Sequence, residues 1–138
     1  MKEAITSDRV LEKCGLPLGP YSHGISTSGG RLIFVAGQIA LGPDGKILHP
    51  ADAPAQFRCC MENIATIVAA AGGTMADVVK VVNYVTKDVD LEVAYPQIAA
   101  IRREFITSEP YPASSLVVVH GLMQQALVEV EAVAVVGA

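Results

Sequence analysis

Apolar residues recur along the chain with two spacings, every second position and every third to fourth, and the switches between them predict the elements. After a turn-rich run, Gly15-Leu16-Pro17-Leu18-Gly19-Pro20, the first strand is read over Tyr21 to Ser28, with Gly29-Gly30 as a hairpin signal. Arg31 to Ala36 follows as a nearly continuous apolar strand, and its end, Gly37-Gln38, exposes backbone to which a ligand can come close. Past the turn Gly42-Pro43-Asp44-Gly45, a helix opens at Asp52 or Ala53, accepts Pro54 in its first turn, carries a buried stripe of Phe57, Cys60, Ile64, Ile67 and Ala71, and stops at Gly72-Gly73. Val78 to Val85 reads as a strand buried on both faces. A second helix is predicted from about Pro96 to Phe105, with Ile98, Ile101 and Phe105 inward. Pro110-Tyr111-Pro112 is a rigid turn, and Ser115 to His120 and Ala126 to Val136 are the last strands. The order β-β-α-β-α-β-β predicts an α+β fold: two helices on one face of a mixed sheet of about six strands, in a single domain over 1–138.

The last strand carries the pattern's main anomaly. Leu127, Glu129, Glu131 and Val133 share one face of it, while Val128, Val130, Ala132 and Ala134 share the other. Carboxylates are costly to desolvate, so two on one strand face require an interface, a salt bridge or a wet cleft. In a cleft, one of them is a poised acid or base.

Composition sharpens this. The chain is 51% hydrophobic with a mean hydropathy of +0.42, high for 138 residues, and self-association is the natural way to cover such a surface. A net charge of −4 without any basic run argues against nucleic acid and anionic membranes as partners. No stretch is long and apolar enough for a bilayer span, and the acidic start lacks a secretory signal core, so a cytoplasmic address is expected. The three cysteines, Cys14, Cys59 and Cys60, form no Cys-x-x-Cys pair, and His23, His49 and His120 show no ligand spacing. Reduced structural thiols are expected, with no metal.

Several short strings, in order and at comparable spacing, give the chain a family resemblance. They are Gly19-Pro20-Tyr21-Ser22, Ala36-Gly37-Gln38-Ile39, Asn63-Ile64, Ala70-Ala71-Gly72, Asp77-Val78-Val79-Lys80, Pro112-Ala113-Ser114-Ser115 and Val128-Glu129-Val130-Glu131-Ala132. Together they resemble the RidA/YjgF family of enamine and imine deaminases over nearly the whole chain. The resemblance implies a chorismate-mutase-like homotrimer with clefts between subunits and no metal or organic cofactor. It also implies hydrolysis of reactive enamines and imines to carbonyl compounds and ammonia. Carried over residue by residue, it makes Glu129 and Tyr21 the catalytic pair, with Glu129 positioning the attacking water, and puts the backbone of Gly37 against the substrate.

One departure redirects that expectation. The family's deaminases hold the substrate carboxylate with an Arg in a Pro-Ala-Arg-Ser string, where this chain has Ser114. Exchanging a charge-assisted pair for a hydroxyl costs roughly 1.5–3 kcal/mol of binding. Leu116 stands where many relatives have Cys, and Ala99 where many have a helix Asn, so the substrate-binding wall of Gly37, Ser114, Leu116 and Ala99 is less polar. A small-molecule substrate other than a simple 2-imino acid is therefore expected, such as a 2-aminomuconate-like ring-cleavage product. The alternative is a non-catalytic small-molecule-binding trimer. His120 is an additional candidate base or donor, read as ending its strand near the Ser114 segment. Glu131 is assigned a structural or inter-subunit ion-pair role. Arg102 and Arg103 are assigned to the solvated face of the second helix, with a reach toward the cleft as the alternative.

Overall fold

The computed structural model describes residues 1–138. Its elements run β1 (Lys2–Ala4), α1 (Asp8–Cys14), β2 (Ile25–Thr27), β3 (Arg31–Gln38), α2 (Ala53–Ala70), β4 (Val78–Thr86), α3 (Leu91–Phe105), β5 (Ala113–Val119) and β6 (Val128–Val136). Four of the strands form a mixed sheet in the order β3-β6-β4-β5, in which β6 is antiparallel to both neighbours and β4 runs parallel to β5. The parallel pair is joined through α3, as a crossover requires. The six strands therefore do not make one sheet: β1 and β2 pair only with each other.

The buried core lies between this sheet and α2 with α3. Val128, Val130, Ala132 and Ala134 of β6 face it, as the alternation predicts, with Val81 and Val85 of β4 and Val35 of β3. From α2 come Phe57, Cys60, Met61, Ile64 and Val68. The real stripe thus runs through Met61 and Val68, leaving Ile67 exposed and Ala71 half-buried, because a true 3.6-residue period drifts off the predicted Ile67–Ala71 line. Asp52 caps α2 by accepting a hydrogen bond from Ala55 N at 3.0 Å. Ile64→Ala in this fully buried position is expected to cost about 2–5 kcal/mol of stability. Urea unfolding checks this, and a cost under half a kcal/mol would mean that the helix does not pack here.

Four other expectations are corrected. The helix α3 starts at Leu91, not near Pro96, because Asp90 caps it by accepting from Glu92 N at 3.1 Å and Val93 N at 3.4 Å; Pro96 sits inside it. Gly29 and Gly30 take φ of +70° and +87°, which suits a tight turn, but the strands they join part to different sheets. Only Ile25–Thr27 of the predicted first strand is regular, and Tyr21 precedes it in a loop. In the middle of β4, Val81, Asn83 and Val85 on the helix side are buried, while Val82 and Tyr84 on the opposite face are half-exposed. That second face of the sheet has no covering layer. Phe34, 75% exposed, and Leu32, 56% exposed, stand on it beside the Glu129–Glu131 row. No helix is long and apolar enough to cross a membrane.

Candidate functional site

Two groups of polar side chains are gathered on opposite faces of the sheet. The first is built on the uncovered face by β6, β4 and the end of β3. Glu129 and Glu131, two apart, project there, and the register sets Tyr84 opposite Glu129 and Val82 opposite Glu131. Glu129, Glu131 and Tyr84, with Gly37 and Leu122, line a cavity of about 280 Å³. Tyr84 donates its hydroxyl proton to Glu131 Oε1. That bond, with desolvation and the charges of Glu131 and Glu129, raises the Tyr84 pKa above the ordinary phenol value. Within its own chain, Glu131 is therefore held by a phenol. Glu129 is half-buried and has no hydrogen-bonding partner within the chain, so its carboxylate is available to a ligand or a water.

Gly37 is brought to Glu129 by a bulge. Between Val35 and Gln38, β3 takes three residue steps where β6 takes two, from Ala132 to Val130. A Cβ at position 37 would lie 2.8 Å from Glu129 Cδ and within van der Waals exclusion of Oε1. The missing side chain is what gives the carboxylate room there. Beneath, the buried Cys60 thiol donates to the Gln38 carbonyl at 3.0 Å. Burial, reinforced by Cys59 and the Glu129 charge, pushes its pKa up to about 12. Cys60 is thus a structural thiol and not a nucleophile. Iodoacetamide at pH 8 is expected to label exposed Cys14 and leave Cys60 unmodified in folded protein, as peptide mass spectrometry would show.

The second group lies on the helix side. Tyr21, Asn83, Tyr95, Arg102, Ser114 and Leu116 line a cavity of about 200 Å³. Ser22 ties the Gly19-Pro20-Tyr21 loop to the start of β5, donating its hydroxyl to Tyr111 O at 2.6 Å. Gly19 lets the loop sit against α3, because a Cβ there would lie 2.5 Å from the Tyr95 hydroxyl. Tyr21 accepts from Leu18 N at 3.2 Å and meets the His23 ring edge-on, with centroids 5.9 Å apart.

Arg102 is the residue the sequence reading misplaced. It is only 3% exposed, whereas Arg103 is on the solvated face. Its Nη2 donates to Asn83 Oδ1 at 2.6 Å and its Nη1 to Ser114 Oγ at 3.3 Å, while Nε has no partner. The guanidinium lies 5.4 Å from the centre of the Phe57 ring. Asn83 also donates to Ser114 Oγ at 3.1 Å and to Ser115 O at 2.8 Å. Burial lowers the Arg102 pKa, against a raising influence of Tyr95.

Of the sequence-predicted site residues, Glu129 and Gly37 share the first cavity, and Tyr21, Ser114 and Leu116 share the second. Within one chain the structure does not bring Tyr21 to Glu129. Ala99 is buried on α3 and forms no part of either wall. His120 is exposed just past β5, roughly 20 Å along the strand from Ser114 at ~3.3 Å per residue, so it stands at the far end of that strand from Ser114. No group of three or more His, Cys, Asp or Glu is arranged to hold a metal.

The family model described as Endoribonuclease L-PSP matches residues 13–136. The chain belongs to the RidA/YjgF family. It is 37% identical to a RutC-family protein of Pyrococcus abyssi, over 89% of this chain and 91% of that one. It is 35% identical to the 2-iminobutanoate/2-iminopropanoate deaminase of Escherichia coli, over 90% of this chain and 93% of that one. Its backbone is similar to the crystal structure of the Rid-family protein YyfB of Yersinia pestis, with a TM-score of 0.81, 27% identity and 98% of each chain covered. The mixed α+β architecture is thus that of RidA/YjgF structures, and among the family's named members are deaminases.

Proposed function

We propose that this RidA/YjgF protein is an enamine/imine deaminase that hydrolyses a reactive enamine or imine to a carbonyl compound and ammonia, without a cofactor. The observation that carries the reading is the Glu129 carboxylate, half-buried, unpartnered and set against the bare backbone of Gly37. Imine hydrolysis needs a water oxygen delivered to the C=N carbon and a proton delivered to nitrogen. Glu129 takes one proton from the water as the C–O bond forms and passes it to nitrogen, giving the carbinolamine. It then takes the hydroxyl proton and passes it to nitrogen as the C–N bond breaks, so both water protons end on NH3, C=O is left and the carboxylate is restored. An enamine enters the same sequence once protonation at its β-carbon has made it an imine.

Tyr21 then orients the substrate, and since it lies on the opposite side of the sheet from Glu129, one substrate contacts both only if they come from different copies. A homotrimer with clefts between subunits supplies that pairing, and the uncovered face bearing Phe34 and Leu32 is a surface it would bury. At the substrate-binding wall, Ser114 and Leu116 in place of the Arg and Cys of many relatives favour a substrate other than a simple 2-imino acid, such as a 2-aminomuconate-like ring-cleavage product.

Proton NMR of freshly generated 2-aminoacrylate, 2-iminobutyrate and a 2-aminomuconate-type enamine, each with and without the protein, tests this reading. Faster loss of the enamine signals with stoichiometric carbonyl product is expected, most strongly for the longer substrate. Decay at the spontaneous rate for all three would refute it.

A further inference from the structure

Arg102 is a buried cation without an anion. The chain's single ion pair, Arg58 with Glu104, lies at the surface between α2 and α3, and no carboxylate reaches the Arg102 guanidinium. Its hydrogen-bonding partners, Asn83 and Ser114, are neutral, and its Nε–H is buried without any. A buried charge kept without a counter-charge is unfavourable for the fold, and a buried donor left unpaired adds to that cost. Proteins keep such groups where a ligand completes them.

The surroundings fit a small anion. Arg102 lines the same cavity as Tyr21, Tyr95, Ser114 and Leu116, so the cation has an approach from outside. Ser114 Oγ accepts from both Asn83 and Arg102, which leaves its own hydroxyl proton to donate outward. The amide of Asn83 holds both the guanidinium and the hydroxyl, accepting from the first through Oδ1 and donating to the second through Nδ2. The same three residues explain why position 114 is small: its hydroxyl serves as a seat for a guanidinium arriving from α3.

We infer that Arg102, with the Ser114 hydroxyl, is the carboxylate-gripping pair of this protein, the guanidinium reaching the cavity from helix α3 rather than from strand β5. This rests on the deaminase reading for the identity of the substrate but not for the grip itself. The substrate class it selects is a small carboxylate whose anionic end enters on the helix side of the sheet. The reacting carbon then lies beyond Tyr21, toward the carboxylate of another copy. Because the guanidinium comes from a different element, the anion is set at another angle than a strand-borne Arg would impose, and this is where substrate choice departs from relatives that carry the Arg on β5.

The test is binding without turnover. Titration calorimetry with 2-oxobutyrate and with its uncharged amide would be run on the wild-type protein, Arg102→Met and Arg102→Lys, each checked by circular dichroism. The wild type is expected to prefer the carboxylate by about tenfold to a hundredfold. Arg102→Met is expected to lose that preference, its affinity for the carboxylate falling at least about tenfold further than its affinity for the amide, and Arg102→Lys to keep part of it. A merely structural strut would weaken both probes together. Should Arg102→Met fail to fold, the arginine side-chain Nε–H resonance of the wild type, assigned from Arg102→Lys, gives the second readout. It is expected to move with 2-oxobutyrate and not with the amide. No preference in the wild type, a preference retained in folded Arg102→Met, or an Nε–H signal unmoved at saturating carboxylate would each overturn the inference. Because no step depends on catalysis, a protein that releases no ammonia and still shows the Arg102-dependent preference refutes the deaminase reading alone.

Discussion

Glu129→Gln is expected to lower the rate of enamine hydrolysis by about a hundredfold to ten-thousandfold, the usual worth of a positioned general base. The substitution keeps the shape of the side chain and its place opposite Tyr84, but an amide cannot take a proton from water. Folding should hardly notice, because Glu129 is half-buried and has no partner in the chain to leave behind. The loss should therefore appear in kcat with little change in the unfolding midpoint. A Gln variant that retains more than a tenth of wild-type turnover would move the base elsewhere. Glu131→Gln is the natural control: its carboxylate already receives the Tyr84 hydroxyl and is not free to serve a water.

Gly37→Ala is the second large effect, and it comes from one methyl group. The added Cβ would meet the Glu129 carboxylate at a separation no real pair of atoms adopts, 2.8 Å from Cδ and closer to Oε1. Either the carboxylate swings away or the bulge between Val35 and Gln38 shifts. Both outcomes take the base off its water, and misplacement of about 1 Å costs on the order of a hundredfold in rate. The expectation is a loss approaching that of Glu129→Gln, with the melting temperature only modestly changed because Gly37 is exposed and adopts no positive φ. Full activity in Gly37→Ala would show that the closeness of the two residues has no bearing on the reaction.

Alternation in β6 was legible in the sequence because a period of two leaves one reading: once Val128, Val130, Ala132 and Ala134 face the core, Glu129 and Glu131 cannot. The stripe of α2 was legible for the same kind of reason, and it departed where 3.6 residues per turn brings in Met61 and Val68 in place of Ile67 and Ala71. The N-terminal β1 and α1 were not legible, since α1 buries nothing and neither element carries a periodic apolar signal. The division into two sheets was hidden too. Gly29-Gly30 specifies a turn, but whether the strands beyond it pair is decided by the more distant β6, which takes β3 as its neighbour.

Within the candidate site, motif matching located Glu129, Gly37, Tyr21 and Ser114, but nothing local could show that they fall on opposite faces of the sheet. Arg102 and Asn83 carried a signal that was there to read. Arg102 stands four residues after buried Ile98, on the inward stripe of α3, and Asn83 stands midway between the core positions Val81 and Val85. A polar residue at an inward-facing position predicts a partner in the interior. Each is the other's partner, with Ser114 as the third member. The substitution that reads as a loss when Ser114 is considered alone belongs to a rearrangement in which the cation comes from the neighbouring helix.

The most direct test of the account is ammonia release from a freshly generated enamine, measured side by side for wild type, Glu129→Gln and buffer. Release above the spontaneous rate is expected from the wild type, with a fall to nearly that rate in the variant. Equal release in all three, across the enamines tested, would contradict it and leave a RidA/YjgF protein that binds its ligand without transforming it.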